Sequence, residues 1–153
     1  MANIVFNIAK GRVVEFYNRV KSGDPADSAL VLIPIETDGL ESDAVLIDKD
    51  TVADVLSGDT DEQTTMGRKV LTAAELDAFP SPDDGNDRYD VSLPEVVWEN
   101  ATGNDISKIL VAYHPDTAEG DDSDMIPLTL FDFAITPDGS DVTMEAGVFF
   151  RAS

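Results

Sequence analysis

The stretch from Ile126 to Arg151, IPLTLFDFAITPDGSDVTMEAGVFFR, decides how the rest of the sequence can fold. Its first part is rich in apolar residues and ends at the turn sequence TPDGS (136–140). Within this turn Pro137 presets φ, and Gly139 can adopt a positive φ. Beyond it, apolar and polar residues alternate over 141–148 with the period of two of a strand that has one wet face. The stretch therefore predicts a β-hairpin.

The same stretch ends in two aromatic residues, Phe149 and Phe150, followed by Arg151. Large aromatic side chains gain free energy when they leave water, and a chain end is ordered when other elements hold it. We expect these residues either to be tied into the sheet or to pack on a partner.

An amphipathic helix is predicted near the N-terminus. Apolar residues there recur at the spacing i, i+3, i+4 and i+7, and Gly23 and Pro25 follow as helix-ending residues. Because the same residues are good β-formers, a strand is the alternative. Residues 1–12, in which Gly11 interrupts an alternating pattern, are expected to form an N-terminal arm or edge strand. The apolar positions of the helix are Val13, Phe16, Tyr17 and Val20.

Two short helices are predicted later in the first half. The first spans 50–58, with Asp50 as its N-cap and Gly58 as its C′ residue. The second starts at a capping box formed by Thr72 and Glu75. Its further members are Leu76 and Phe79, which are expected to face inward, and Pro80, which ends it.

Strands are predicted at three further places. The near-continuous apolar run 29–35 is typical of a strand that is covered on both faces, and Pro34 places its end at an edge or a bulge. Alternation predicts a strand over 88–98, which Pro94 kinks or places at an edge, and residues 106–113 form another.

These elements predict the fold class. Six or seven short strands without regular βαβ alternation favour a mainly β fold with short helices, an antiparallel β-sandwich or barrel-like domain with helical insertions in the first half. Residues 13–153 are expected to form this single domain, and residues 1–12 precede it.

The net charge excludes several classes of partner. The chain of 153 residues has 31 acidic and 10 basic residues, for a net charge of −21. Such a chain repels phosphate and anionic lipid, so neither nucleic acid nor a membrane is an expected partner. It has no cysteine, and no apolar run approaches the ~18 residues of a membrane span. Adaptation to high salt is another explanation of the acidity.

Positive charge is concentrated at the start of the chain. Lys10, Arg12, Arg19 and Lys21 lie there with one acid, Glu15, so the first 21 residues carry +3 and the remainder −24. Either this basic segment pairs with acids of its own chain, or it docks on an acidic neighbour, which includes another copy of this protein.

No residue pattern signals catalysis. His114 is the only imidazole, and the sequence contains neither a Gly-x-Ser-x-Gly elbow nor a phosphate-binding glycine motif. A loop histidine is the simpler interpretation of His114. Neither an enzyme nor a cofactor is predicted, and no small-molecule substrate is expected.

Two acidic loops are candidates for Ca²⁺ binding. Neither matches the EF-hand pattern, so solvated loops are the simpler interpretation. The alternative function is an acidic carbohydrate- or calcium-binding β-module, in which Trp98, Tyr89 and both loops would converge. The loop residues are Asp83, Asp84, Asn86, Asp87 and Asp90, and Asp116, Glu119, Asp121, Asp122 and Asp124.

Six stretches spread over most of the chain carry a resemblance. They are ANIVFNIAKGR (2–12), DDGNDR (83–88), KILVAY (108–113), IPLT (126–129), DF (132–133) and FFRAS (149–153). Together the sequence resembles a family of small head-associated structural proteins of tailed bacteriophages. The resemblance implies a role in the virion, such as a decoration or cement subunit on the capsid.

We therefore expect a non-enzymatic virion structural protein, made in the host cytoplasm and located on the capsid surface. Its expected partners are the major capsid protein, copies of itself, or both. Apolar termini would suit strand addition between subunits. The residues expected to contact partners are Ile4, Phe6, Ile8, Lys10, Arg12, Arg19, Lys21, Phe149, Phe150 and Arg151.

Overall fold

The structure is a computed structural model that describes residues 4–76 and 82–152. A 3₁₀ turn lies at Asn7–Ala9. The helices are α1 (Val13–Ser22), α2 (Asp43–Leu46) and α3 (Val52–Val55). The strands are β1 (Ile4–Val5), β2 (Ala29–Glu36), β3 (Lys69–Leu71), β4 (Tyr89–Leu93), β5 (Val96–Trp98), β6 (Ile106–His114), β7 (Ile126–Ile135), β8 (Val142–Met144) and β9 (Gly147–Ala152).

One large antiparallel sheet forms the centre of the fold. Its strand order is β1-β7-β6-β2-β3, and two small sheets pair β4 with β9 and β5 with β8. The predicted mainly β, antiparallel fold with helices in the first half is confirmed. The large sheet is open, with β1 and β3 as its edges, so it does not close into a barrel.

The central sheet has a hydrophobic cluster on each of its two faces. Successive side chains of a strand point to opposite faces, so each strand contributes to both clusters. On β2, Leu30 and Leu32 belong to one hydrophobic cluster, whereas Val31 and Ile33 belong to the other. The first cluster also contains residues of α1 and of the small sheets. The second contains Phe6 and residues of α2 and α3.

The predicted hairpin is wrong, and residues 136–140 form only a bend at Gly139 and Ser140 rather than a hydrogen-bonded turn. Gly139 has a φ of +93°, as expected. However, β7 pairs with β6 and β1, whereas β8 pairs with β5 and β9 with β4. The long apolar strand β6 offers β7 a longer ladder than the three residues of β8 do. Val142 and Met144 are buried as predicted, but Val148 is 50% exposed, so the alternation ends before it.

The predicted amphipathic helix is confirmed as α1, and the alternative strand is wrong. All four of its apolar positions are buried. Gly23 ends the helix in the left-handed conformation with a φ of +66°. There its N–H donates to the Val20 carbonyl, as a C-terminal cap requires.

The run 29–35 forms β2 and is buried on both faces, as predicted. Pro34 lies opposite Ile109 of β6, beside a bulge at Ile35 and Glu36. Its carbonyl accepts the Gln63 N–H at 2.9 Å, beyond the end of β3. Pro34 has no N–H to donate, and a donor at this position would point away from β6. The proline therefore removes no hydrogen bond between β2 and β6.

The short helices differ from their predictions at their ends. The N-cap of α3 is Thr51 rather than Asp50, since the Thr51 hydroxyl accepts the Asp54 N–H at 3.0 Å. Leu56 is the C-cap of this helix, so its C′ residue is Ser57 rather than Gly58. Local competition between adjacent capping residues decided the start, and the sequence alone does not resolve it.

The Thr72 capping box forms in part. The Glu75 carboxylate accepts the Thr72 N–H at 2.8 Å, but the described residues that follow make only a turn. Leu76 is buried as expected. Phe79 and Pro80 lie outside the described residues.

The later strands follow their predictions. Pro94 separates β4 from β5, and the run 106–113 forms β6. The aromatic tail is tied into a sheet as β9. None of the described helices is long and apolar enough to cross a membrane.

Candidate protein-interaction surfaces

An exposed positive patch lies on α1. The Glu15 carboxylate lies 3.3 Å from Arg12 Nε and 3.1 Å from Arg19 Nε, and about half of each side chain is exposed. Hydrogen bonds from Arg12 and then from Arg19 lower the pKa of Glu15. Because two guanidinium groups share one carboxylate, positive charge is left over. We call the two arginines Arg12 and Arg19, together with the exposed Lys10, the basic face.

Lys21, the fourth predicted basic residue, has a different role. Its ammonium donates hydrogen bonds to the carbonyls of Ala73 at 3.2 Å and Leu76 at 2.9 Å. It therefore ties α1 to the turn after β3, as a long cationic side chain can do when its stem packs on the protein.

The predicted apolar contacts of the N-terminal segment are divided between core and surface. Ile4 pairs with Leu130 at the sheet edge, and Phe6 is fully buried in the second cluster. Ile8 is 36% exposed. Since the core encloses Phe6, that side chain can contact a partner only if the segment rearranges.

The predicted C-terminal contacts lie together in β9. Phe149 and Phe150 are half-buried, and the Phe149 ring centroid is 6.3 Å from that of Tyr17 on α1. The Arg151 guanidinium donates to both Asp90 oxygens at 2.6 and 3.1 Å, and this bond lowers the pKa of Asp90. These residues thus stabilise the β4–β9 sheet.

An apolar groove lies beside β7, and sequence reasoning missed it. Its volume is about 450 Å³. It runs between the second half of β7 and the segment from Thr143 to Phe149. We call it the β7 groove. Its lining residues are Leu93, Phe131, Asp132, Phe133, Thr143, Met144, Glu145, Gly147, Val148 and Phe149.

A second missed feature is an ion-pair cluster at Arg68, which we call the Arg68 clamp. The guanidinium donates to Glu62 oxygens at 2.8 and 2.6 Å and to Asp122 oxygens at 2.7 and 3.0 Å. These bonds raise the pKa of Arg68 and lower that of Asp122. Asp122 is 54 residues from Arg68, so no local pattern signals the pair.

The residues considered for other functions are dispersed. His114 is half-buried, and its Nδ1 accepts the Asp116 N–H at 3.4 Å. Trp98 is 1% exposed and donates its indole N–H to the Gly67 carbonyl at 3.0 Å, so it offers no ring for a sugar to stack on. Across residues 4–76 and 82–152, no three His, Asp or Glu side chains form a group that could hold a metal ion.

Comparison with known proteins identifies no relative of this chain. No protein-family model matches the chain, and neither a curated protein nor a solved structure shows significant similarity to it. The resemblance to phage head proteins stays a prediction.

Proposed function

We propose that this chain is a non-enzymatic structural subunit of a phage virion, a decoration or cement subunit that lies on the capsid. The observation that carries the proposal is the basic face. Arg12 and Arg19 share one carboxylate, that of Glu15, and Lys10 is exposed two residues before Arg12, on a chain with a net charge of −21. The resemblance carried by the six sequence stretches supports the same class of function.

A molecule with this charge distribution is suited to lateral association. The basic face attracts an acidic surface, and opposite charges across an interface accelerate association and fix its orientation. The acidic remainder of each copy, or an acidic patch of the major capsid protein, provides such a surface. A cement subunit then holds its neighbours through buried area rather than through a pocket.

The acidic remainder has a role of its own in this proposal. A densely repeated negative surface repels other particles and free DNA. The subunit is made in the host cytoplasm and joins the capsid surface, where the basic face is covered and the acidic residues face outward.

Two measurements test the proposal. Mass spectrometry of purified virions should find the chain, and capsids assembled without it should bind the purified protein. Binding should weaken strongly between 50 and 500 mM salt, roughly as expected for exposed charges. Absence from the virion together with no affinity for such capsids would contradict the proposal.

A matched pair of variants locates the contact. Arg19→Gln removes one charge from the basic face, whereas Lys49→Gln removes one charge just after α2, outside that face. We expect the first to weaken capsid binding several-fold and the second to leave it unchanged. Equal effects would mean that the basic face is not the contact.

A further inference from the structure

Opposite charges lie on opposite sides of the central sheet. Helix α1, which has Arg12 at its N-cap and Arg19 in its last turn, packs on the first hydrophobic cluster. Helix α3 packs on the second cluster, on the other face of the sheet. The exposed charged residues on and next to α3 are mainly acidic. The two faces of the sheet therefore carry charge of opposite sign.

The segment 121–125 lies on the same side of the sheet as α3. The Val52 N–H donates to the Met125 carbonyl and the Ala53 N–H to the Asp122 carbonyl, each at 3.0 Å. Met125 is buried in the second cluster. Four exposed aspartates on this segment and on or next to α3 make no ion pair within residues 4–76 and 82–152, and we call them the acidic face. They are Asp50, Asp54, Asp121 and Asp124.

Two cations lie beside the acidic face without neutralising it. Arg68 is held between the carboxylates of Glu62 and Asp122. Lys49 directly precedes Asp50, and its single charge offsets at most one of the four exposed carboxylates. The acidic face therefore presents a net negative charge to the solvent.

The arginines of the basic face are positioned to bind carboxylates. Arg12 and Arg19 each bond Glu15 through Nε, and their terminal nitrogens make no hydrogen bond within the described residues. The Arg12 guanidinium also lies over the Phe16 ring, 4.5 Å from its centroid, which restricts its movement. A guanidinium can present two parallel N–H groups to the two oxygens of one carboxylate, so each arginine can bind one aspartate.

We propose that copies of this chain associate head to tail, with the basic face of one copy on the acidic face of the next. Because the two faces lie on opposite sides of one molecule, they meet only between molecules. An interface between two different patches is heterologous and repeats from copy to copy, as a ring or as an open chain. The inference rests on the proposed function, in which copies of the chain are among the partners, and it names the surface that receives the basic face.

The net charge of −21 is compatible with this contact. At about 0.15 M salt the Debye length is about 8 Å, so charges far from the interface are largely screened, whereas charges in contact are not. The complementarity of the two faces therefore outweighs the repulsion between the remaining charges. The contact covers the acidic face alone, and the other exposed acids of each copy still face outward.

Sedimentation equilibrium of the full chain tests the contact. Interfaces made by exposed charges are weak in solution, so the measurement extends to about 1 mM chain, where a millimolar Kd is detectable. We expect the average mass to rise with concentration at about 0.15 M salt, and the association to weaken several-fold at about 0.5 M. A chain that stays monomeric at every concentration would overturn the inference.

Charge reversal locates both faces. Arg12→Glu/Arg19→Glu makes the basic face negative, and Asp50→Lys/Asp54→Lys makes part of the acidic face positive. We expect each double variant alone to be monomeric and an equimolar mixture to associate, because in the mixture each variant meets a face of opposite charge. Association of the mixture also shows that both variants are folded. Self-association of either variant alone at wild-type strength, or a mixture that stays monomeric, would contradict the proposed contact.

A matched variant controls for net charge. Asp38 and Asp105 are exposed in the loops that follow β2 and precede β6, outside the acidic face. Asp38→Lys/Asp105→Lys changes the net charge by the same amount as the reversal of Asp50 and Asp54. We expect this variant to self-associate at least as strongly as the wild type, because its acidic face is intact. If it also loses self-association, net charge rather than the acidic face governs the contact, and the inference fails.

The same measurements separate this inference from the proposed function. If the chain stays monomeric but is found in virions and binds capsids, the head-to-tail contact fails while the virion role stands. If the charge-reversed mixture associates but the chain is absent from virions and binds no capsid, the virion role fails while the contact stands. An isologous dimer, which the two arginine substitutions dissociate and the two aspartate substitutions do not, would overturn the head-to-tail arrangement.

Discussion

Two arginine clusters of this molecule have opposite compositions. On α1, two arginines share one carboxylate, and each of the three side chains is 43–48% exposed. In the Arg68 clamp, one arginine lies between two carboxylates, and its side chain is 27% exposed. The first cluster joins residues of one helix, so it contributes little to the fold and leaves positive charge for a partner. The second joins distant segments, so its ion pairs stabilise the folded structure.

Removing Arg68 should have the largest effect. Arg68→Ala leaves the Glu62 carboxylate, which is 13% exposed, without its partner. Breaking a buried ion pair costs about 3–5 kcal/mol, and the partial exposure of Arg68 reduces the expected loss to about 2 kcal/mol. The free energy of unfolding in urea, followed by Trp98 fluorescence, measures this loss.

Arg19→Ala is the control for that measurement. It removes an exposed arginine, so we expect a change of at most about 0.5 kcal/mol. If both variants lose the same stability, the two clusters do not differ in the way their geometry indicates.

Gly23 allows a test of how much the C-terminal cap of α1, the helix that carries Arg19, contributes to stability. Gly23 caps α1 with a φ of +66°, and the space around it is open. Gly23→Ala should therefore cost about 1 kcal/mol through backbone strain alone. Gly85 has no positive φ and no close backbone neighbour, so Gly85→Ala should leave the urea midpoint nearly unchanged. A neutral Gly23→Ala would mean that the end of α1 is free to adjust.

Local patterns predicted the elements that depend on local physics. The helical spacing in α1 and the continuous apolar runs of β2 and β6 each fix an element within one segment. Strand pairing is not local. The alternation after Gly139 is satisfied equally by β7 or by β5 as a partner, and the sequence does not contain that choice.

The candidate surfaces also differ in whether the sequence alone predicts them. The basic face can be predicted from the sequence because its charges lie close together along the chain, within residues 10–19. Phe6 was predicted as a partner contact, but an alternating pattern does not distinguish burial in the protein's own core from burial against a neighbour. The Arg68 clamp and the β7 groove bring together residues from distant segments, so only the fold reveals them.

Acid should weaken the Arg68 clamp. The hydrogen bond from Arg68 lowers the pKa of Asp122 in the folded state. A lowered folded pKa means that this group stabilises the fold above its unfolded pKa of about 3.9, and that the contribution is lost as the pH falls through the folded value. We therefore expect the free energy of unfolding to fall with pH below about pH 4.

Asp122→Asn identifies that contribution. The variant is less stable than the wild type at neutral pH, and its stability should depend less on pH in the acid range. Urea unfolding at several acidic pH values compares the two slopes. A slope that Asp122→Asn leaves unchanged would assign the acid sensitivity to other carboxylates.

Glu15 should show the smallest effect on stability and a distinct effect on binding. Its side chain is 43% exposed, so Glu15→Gln should leave the urea midpoint close to that of the wild type. The substitution removes the only acid between Arg12 and Arg19, which raises the positive charge of the basic face. Capsid binding should become tighter and more sensitive to salt. Glu119→Gln makes the same charge change in the exposed acidic loop, so it controls for net charge. Tighter binding by both variants to the same extent would show that total charge, rather than the basic face, governs the contact.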